Sequence, residues 1–369
     1  MSSPYELKWG ILGCGWIASV FTKDLLLDTA ARGAGNIKHT VVAAGTSSDL
    51  GRAQKFLDDC GVPSGTAAAY GSYETLVQDP NVEIVYVATP HSHHFPHVLL
   101  ALKAGKHVLC EKPFTVNAEQ ARILYDVAKE KNLFLMEAVW TRFFPLSIEV
   151  RNLVKSGKIG EVKRVLADTS FLNEMETKFP PENRMVNMDL AGGALLDLGV
   201  YSLTWVFQIL YHLDENPKTP KVVGHIQKYA VTGCDETATV ICQFEKATGI
   251  AMTSCRVGTD VDEEGTAGPA IRIYGTKGEI QVAHPAFRPL KYRVILPKEE
   301  GGAGEWQERK DAGGAMYWQA DGCARSIREG KLECEVMPWK ESIAIMEVMD
   351  EMRKQADMPY PEAIESTAH

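Results

Sequence analysis

The chain has no C-x-x-C pair among its eight cysteines, no H-E-x-x-H motif, no internal repeat, no low-complexity segment and no excess of basic residues. Each absence excludes something. The thiols of Cys14, Cys60, Cys110, Cys234, Cys242, Cys255, Cys323 and Cys334 are scattered, several within apolar strand-like runs. That suits small buried side chains rather than a disulfide framework, and a reducing, cytoplasmic setting is the expectation. A net charge of −9 argues against an electrostatic grip on nucleic acid or an anionic membrane. No apolar run approaches the roughly eighteen residues of a membrane span. The start, Met1-Ser2-Ser3-Pro4-Tyr5-Glu6, lacks the basic-then-apolar order of a signal peptide. What is present is 369 residues, 45% hydrophobic and 24% charged. This fits a soluble globular enzyme of roughly two to three domains.

The first half alternates strand-like and helix-like runs. Lys8-Trp9-Gly10-Ile11-Leu12 is an apolar strand, and Gly13-Cys14-Gly15-Trp16-Ile17-Ala18 follows it at the start of a helix. Gly13, Gly15 and Ala18 fit the dinucleotide fingerprint G-x-G-x-x-A. The first glycine makes the turn, the second admits pyrophosphate, and the small third residue lets helix and strand pack closely. Gly13, Gly15, Trp16 and Ile17 are therefore candidate cofactor residues. The second strand, His39–Gly45, ends in Thr46-Ser47-Ser48 where an NAD-preferring fold would place an acid for the ribose hydroxyl. Asp49 reads as a helix N-cap. Ser47, Ser48 and Arg52 suit a 2′-phosphate, so NADP is the expected cofactor. Further strands at Ala67–Tyr70, Glu83–Ala88, His107–Cys110 and Leu133–Met136, separated by helices, predict a doubly wound parallel sheet.

Two stretches sit where such a sheet binds ligands, at the carboxyl ends of its strands. Thr89-Pro90 lies beside the switch point expected to hold a nicotinamide, and Glu111-Lys112-Pro113 ends the buried run Val108-Leu109-Cys110. The nearby histidines His91, His93, His94 and His97 suggest a metal, but the remaining histidines are dispersed and supply no further ligands. The cluster reads as a loop and helix start with no metal, one histidine, His94, lining the cofactor pocket.

The second half, from a join near Thr141–Pro145, carries strand-like runs at Glu161–Phe171, Pro220–Ala230, Thr237–Phe244, Gly249–Val257, Ala270–Val282 and Lys291–Leu296. Most connections are too short for crossover helices, which predicts an α+β domain with a mainly antiparallel sheet. One wide sheet face is free to pack on a second copy. Two helices, Met316–Glu329 and Trp339–Gln355, close the chain, and the end from Pro359 is expected to be loose. The domains are placed at 1–143 and 144–369, with the final helix packing back on the first. Within the second half, Asp197 and Tyr201 are the first polar side chains of a nearly all-apolar helix and share one face. A carboxylate there needs a partner.

In this order, Gly13–Ala18, Ala88-Thr89-Pro90, Ala104–Pro113, Met136–Phe143, Gly192–Tyr201 and Met337–Ser342 resemble the glucose–fructose oxidoreductase/inositol dehydrogenase/MocA family over nearly the whole chain. Trp140 and Tyr201 are similar to the branch of dimeric dihydrodiol dehydrogenases and NADP-dependent D-xylose dehydrogenases; inositol dehydrogenase-like members have histidine where Tyr201 stands. The resemblance implies a Rossmann domain, an open-faced sheet domain that forms a homodimer, and NADP bound between them. It implies that Lys112 and Tyr201 are the catalytic pair, that the Lys112–Pro113 bond is cis, and that Trp140, Arg142 and Phe171 line the substrate pocket with Asp197 and Tyr201. The reaction then expected is oxidation of a cyclic sugar such as D-xylose at C1, with a trans-dihydrodiol as alternative substrate. A cofactor-binding regulator without turnover is the reading of another class. Tyrosine with its ordinary pKa near 10 is a poor base at neutral pH. Lys112 is expected to lower that value, with Glu111 beside it at the cofactor and Asp197 orienting it.

Overall fold

A computed structural model describes residues 3–368. Its first layer is built by strands β1 (Tyr5–Leu12), β2 (Ile37–Gly45), β3 (Ala68–Tyr70), β4 (Ile84–Val87), β5 (His107–Glu111) and β6 (Leu135–Ala138). All pair parallel in the order β3-β2-β1-β4-β5-β6. Helices α1 (Trp16–Leu25), α2 (Leu50–Cys60), α3 (Tyr73–Val77), α4 (His94–Lys103) and α5 (Ala118–Glu130) make the crossovers. Every residue of β4 and β6 is buried, as expected where helices cover both faces. The order reverses between β1 and β4, which opens a crevice at their carboxyl ends. Three helices start on capping side chains, Asp49, Ser72 and Asn117, each accepting a backbone N–H. Helix α1 has no such cap: it starts at Gly15, leaving its first N–H groups to the crevice.

After α6 (Pro145–Lys155) come β7 (Val162–Ser170), α7 (Met175–Lys178), α8 (Val200–Leu210), β8 (Lys221–Lys228), β9 (Asp235–Gln243), β10 (Thr248–Ser254), β11 (Ile271–Gly275), β12 (Gly278–Val282), β13 (Lys291–Ile295) and β14 (Gln307–Glu308). They form an eight-stranded sheet ordered β14-β13-β12-β11-β7-β10-β9-β8. Only β7 and β10 pair parallel; the other neighbours are antiparallel. The run Ala270–Val282 is not one strand but a tight hairpin, with Gly275 opposite Gly278. Helix α8 covers one face of this sheet, against β7 and β10.

Helices α9 (Tyr317–Arg328), α10 (Trp339–Gln355) and α11 (Glu362–Glu365) return to the first layer. Asp321 on α9 accepts from Arg32 and meets His39, both at 2.9 Å. On α10, Ser342 Oγ donates to Glu137 at 2.6 Å and Trp339 Nε1 to the Leu135 carbonyl at 2.7 Å. Gln355 on the same helix donates to Val222 of β8. Two expectations are corrected. The end beyond Pro359 is anchored: buried Tyr360 donates to the Gly192 carbonyl at 2.8 Å, and Gln120 donates to Ile364 and Ser366. The stretch Met188–Leu210 does have the length and apolarity to cross a membrane, with mean hydropathy 1.4 over its apolar window. That window is 94% buried inside the fold, where α8 serves as a core helix.

Candidate functional site

The glycine loop after β1 is shaped by contact with β4. Gly13 has φ +97°, and a Cβ there would stand 2.9 Å from the Ala88 carbonyl oxygen, so only glycine fits. At Gly15 a Cβ would meet nothing within 4 Å. The uncapped N–H groups of α1 border this open space, with the exposed Trp16 at its edge. An open cradle ringed by backbone donors is what a dinucleotide pyrophosphate requires, so the residues present fit the group. At the end of β2, Ser47, Ser48 and Arg52 are all exposed. Asp49 is spent on its cap, accepting from the Arg52 N–H at 3.0 Å. Thr89-Pro90 stands across the crevice, where Thr89 Oγ1 meets His97 Nδ1 at 3.0 Å.

His94 lies beneath that turn. Its Nε2 faces the Thr89 carbonyl at 2.9 Å and its Nδ1 the Pro113 carbonyl at 2.8 Å. Burial pushes its pKa down to about 3, so it is neutral. A neutral ring carries one N–H, so His94 donates to one of these two carbonyls and packs against the other; wedged between the Thr89 and Lys112–Pro113 turns, it does not reach into the pocket. The Lys112–Pro113 bond is cis, as the resemblance implied. The Glu111 carboxyl also points inward, accepting from Tyr86 Oη at 2.5 Å; burial raises its pKa to about 7.

Lys112 leaves the end of β5 and meets the Asp197 turn. There the helix preceding α8 widens into a π turn, Leu195–Gly199, a distortion that frees carbonyls for other partners. Lys112 Nζ donates to the Asp197 carbonyl at 2.6 Å and to Asp197 Oδ1 at 3.2 Å. The same Oδ1 takes Arg184 Nη1 at 3.0 Å and lies 3.3 Å from His91 Nε2. Burial pushes the Asp197 carboxyl up, but Lys112, the His91 hydrogen bond and Arg184 outweigh it and hold the group well below the usual carboxylate range. Tyr201, one turn on, has Lys112 Nζ 4.8 Å from its ring centre and accepts from Trp140 Nε1 at 3.0 Å.

Two expectations fail here. Lys112 lies over the face of the Tyr201 ring, held by Asp197, and does not bring the phenol below its ordinary value. Burial, then the charge of Glu111, push Tyr201 well above its ordinary value, so it is protonated at neutral pH. Arg142 does not line the pocket. It is fully buried, with both terminal nitrogens on Glu341 and its own carbonyl accepting from Arg151.

The wall beside Tyr201 is aromatic. Phe287 has ring centres 6.0 Å from Trp140, 5.8 Å from Tyr201 and 5.9 Å from Phe171. Sequence reasoning missed Phe287, which a loop after β12 delivers without any periodic signal. It also missed Arg184, in the connection between α7 and the π turn, and set His91 aside with its neighbours. The position of His91 directly after Thr89-Pro90 was the available clue.

A dinucleotide cradle at a switch point, with a lysine from the same layer meeting a carboxylate and a tyrosine from a second sheet domain, defines a two-domain nucleotide-dependent oxidoreductase. The chain belongs to the GFO/IDH/MocA oxidoreductase family. Its NAD-binding Rossmann model matches residues 7–139 and the family's C-terminal domain model residues 148–281. A D-xylose 1-dehydrogenase (NADP(+)) from Hypocrea jecorina is 52% identical, covering 98% of this chain and 95% of that one. The trans-1,2-dihydrobenzene-1,2-diol dehydrogenase of Homo sapiens is 34% identical, covering 96% and 98%. Among solved structures, an aldose-aldose oxidoreductase from Caulobacter crescentus superposes with a TM-score of 0.76 at 21% identity, covering 95% of this chain and 98% of that one. A levoglucosan dehydrogenase superposes at 0.80 and 16% identity, covering 95% and 97%; both likenesses concern the fold.

Proposed function

We propose that the protein is an NADP-dependent dehydrogenase that oxidises a cyclic sugar, D-xylose at C1 being the substrate of choice. The observation that carries this is the 52% identity, over almost the full length, to a D-xylose 1-dehydrogenase, joined to a site that holds the Lys112–Asp197–Tyr201 cluster beside the open cradle at Gly15. Bound at that cradle, NADP supplies the acceptor for the hydrogen leaving C1. The α1 N-terminus and Gly15 hold its pyrophosphate, and Ser47, Ser48 and Arg52 its 2′-phosphate.

Tyr201 moves the proton at the reacting oxygen. With its phenol held protonated, it is ready to donate to a carbonyl in the direction of reduction. Oxidation needs the phenolate, so its rate rises with pH while that of reduction falls. Asp197, ionised throughout, holds Lys112 in place beside the ring. Trp140 holds the Tyr201 oxygen from its other side, and Trp140, Phe171 and Phe287 offer apolar faces to a sugar ring. NADPH formation with a panel of aldopentoses, aldohexoses and trans-dihydrodiols tests the reading. Strongest turnover with D-xylose supports it, and a dihydrodiol preference replaces the substrate. Absence of turnover with every compound favours a cofactor-binding regulator.

The same reading includes a homodimer in a cytoplasmic setting; the setting rests on the expectation drawn from the scattered cysteines, and the homodimer on packing. The homodimer is supported by the sheet face that α8 leaves open, where Leu166, Ile250, Ile241 and Val223 stand in register across four strands. Val223 is 59% exposed. An apolar row of this kind is suited to meeting its own copy. Light scattering on the purified chain gives the mass that decides it.

A further inference from the structure

Arg184 is the charged group at the cleft to which the mechanism gives no task. Lys112 already pairs with the Asp197 carboxylate, so Arg184 is a second cation on the same oxygen. Its side chain is 53% exposed, against 8% for Asp197. One terminal nitrogen is tethered to Asp197 Oδ1 at 3.0 Å, and no other described residue takes its remaining donors. The Asp197 oxygen that holds it is the one that takes Lys112 Nζ, so the guanidinium is anchored one residue contact away from the Lys112–Tyr201 pair.

We propose that Arg184 is a substrate-binding residue that holds Asp197 with one arm and takes the ring hydroxyls of a cyclic polyol with the other. A guanidinium presents five N–H donors in a rigid planar fork, suited to two neighbouring oxygens at once. The tether to Asp197 fixes that fork before the substrate arrives, which reduces the ordering cost of binding. The substrate class is therefore one with hydroxyls adjacent to the reacting carbon, and Arg184 sets the preference for sugars over singly hydroxylated rings. This rests on the dehydrogenase reading above.

The test compares wild type with Arg184→Met and Arg184→Lys, using D-xylose and its monodeoxy analogues. Arg184→Met is expected to raise KM for D-xylose roughly ten- to a hundredfold, the range for losing a hydrogen bond from a charged donor. Arg184→Lys recovers part of the loss. NADPH binding, followed by fluorescence, stays unchanged because Arg184 touches neither the glycine loop nor α2. One deoxy analogue loses efficiency with wild type but no further with Arg184→Met, since the missing hydroxyl and the missing fork are the same contact. An unchanged KM, or equal deoxy penalties in both proteins, overturns the assignment while leaving the dehydrogenase reading intact. Wild type that turns over no sugar or diol overturns both.

Discussion

Two buried carboxylates in this protein gather cations in nearly the same way and serve different ends. Glu341 on α10 is fully buried and takes both terminal nitrogens of Arg142 and His212 Nδ1, the latter at 2.9 Å. Asp197 takes Lys112, Arg184 and His91. In both, burial pushes the carboxyl up, and the Lys or Arg charge with the histidine hydrogen bond brings it below its ordinary range. Charge pairing alone thus does not separate a structural tie from a reacting site. The surroundings do. Glu341 sits in a regular helix with a sealed guanidinium partner. Asp197 sits in a π turn, its partners come from three separate segments, and one of them is half exposed.

Removing a member of each cluster separates them. Tyr201→Phe, beside Asp197, is expected to lower kcat by roughly 10²–10⁴-fold, the range for a lost general acid or base. Steady-state rates measure the fall. NADPH binding and the melting temperature stay close to wild type, because the phenyl ring keeps its place among Trp140 and Phe287. Retained turnover would remove Tyr201 from the chemistry. Arg142→Met acts the other way. It strands the Glu341 carboxylate without its guanidinium, a loss on the order of 3–5 kcal/mol of stability. Urea unfolding reads that loss, while KM and kcat per folded molecule remain near wild type. A KM rise with unchanged stability would return Arg142 to the substrate pocket.

The sequence revealed this contrast only in part. The Rossmann layer was legible because each of its strands is a short apolar run bounded by turn residues, and because Gly13, Gly15 and Ala18 occur at a strand-to-helix junction. Lys112, Asp197 and Tyr201 were legible through the family resemblance and, for the last two, through their isolation on an apolar helix. Arg142 was misplaced because motif order says that it lies near Trp140, not which way its side chain turns; its partner Glu341 is 199 residues further on. Arg184 and Phe287 come from loops, where no periodicity points to a face. The phenol of Tyr201 was misjudged for a related reason: its burial and the nearby Glu111 are tertiary facts.

A third buried carboxylate sharpens the comparison, since no cation touches it. Glu137 accepts from the Phe114 N–H at 3.0 Å and from Ser342 Oγ at 2.6 Å, and burial raises its pKa to about 7. The unfolded chain has this group near its ordinary value of about 4.3. Between the two values the folded protein holds a proton that the unfolded chain releases. Stability from this group is therefore fully present below the unfolded value and is lost as pH rises toward about 7. The loss is on the order of 3 kcal/mol by linkage. Glu137→Gln keeps the oxygen that serves Phe114 and flattens this slope in denaturant midpoints taken from pH 5 to pH 8. An unchanged slope would place the titration elsewhere, with Glu111 as the next group to replace.

At the far end of the comparison stands a cation with no carboxylate beneath it. Arg52 is exposed in the first turn of α2, and the capping contact with Asp49 uses only its backbone N–H. Arg52→Ala therefore preserves the cap and the helix, and any effect falls on what the guanidinium itself holds. If that is the 2′-phosphate of NADP, KM for NADP rises on the order of tenfold, a modest effect because the site is open to water and salt. KM for NAD does not move, since NAD has no phosphate there, and added salt shrinks the difference between the two proteins. An equal rise for both cofactors would mean that Arg52 shapes the crevice as a whole. Asp49 would then remain as the residue to examine for cofactor choice, since freeing its carboxylate from the cap would repel a phosphate and accept a ribose hydroxyl.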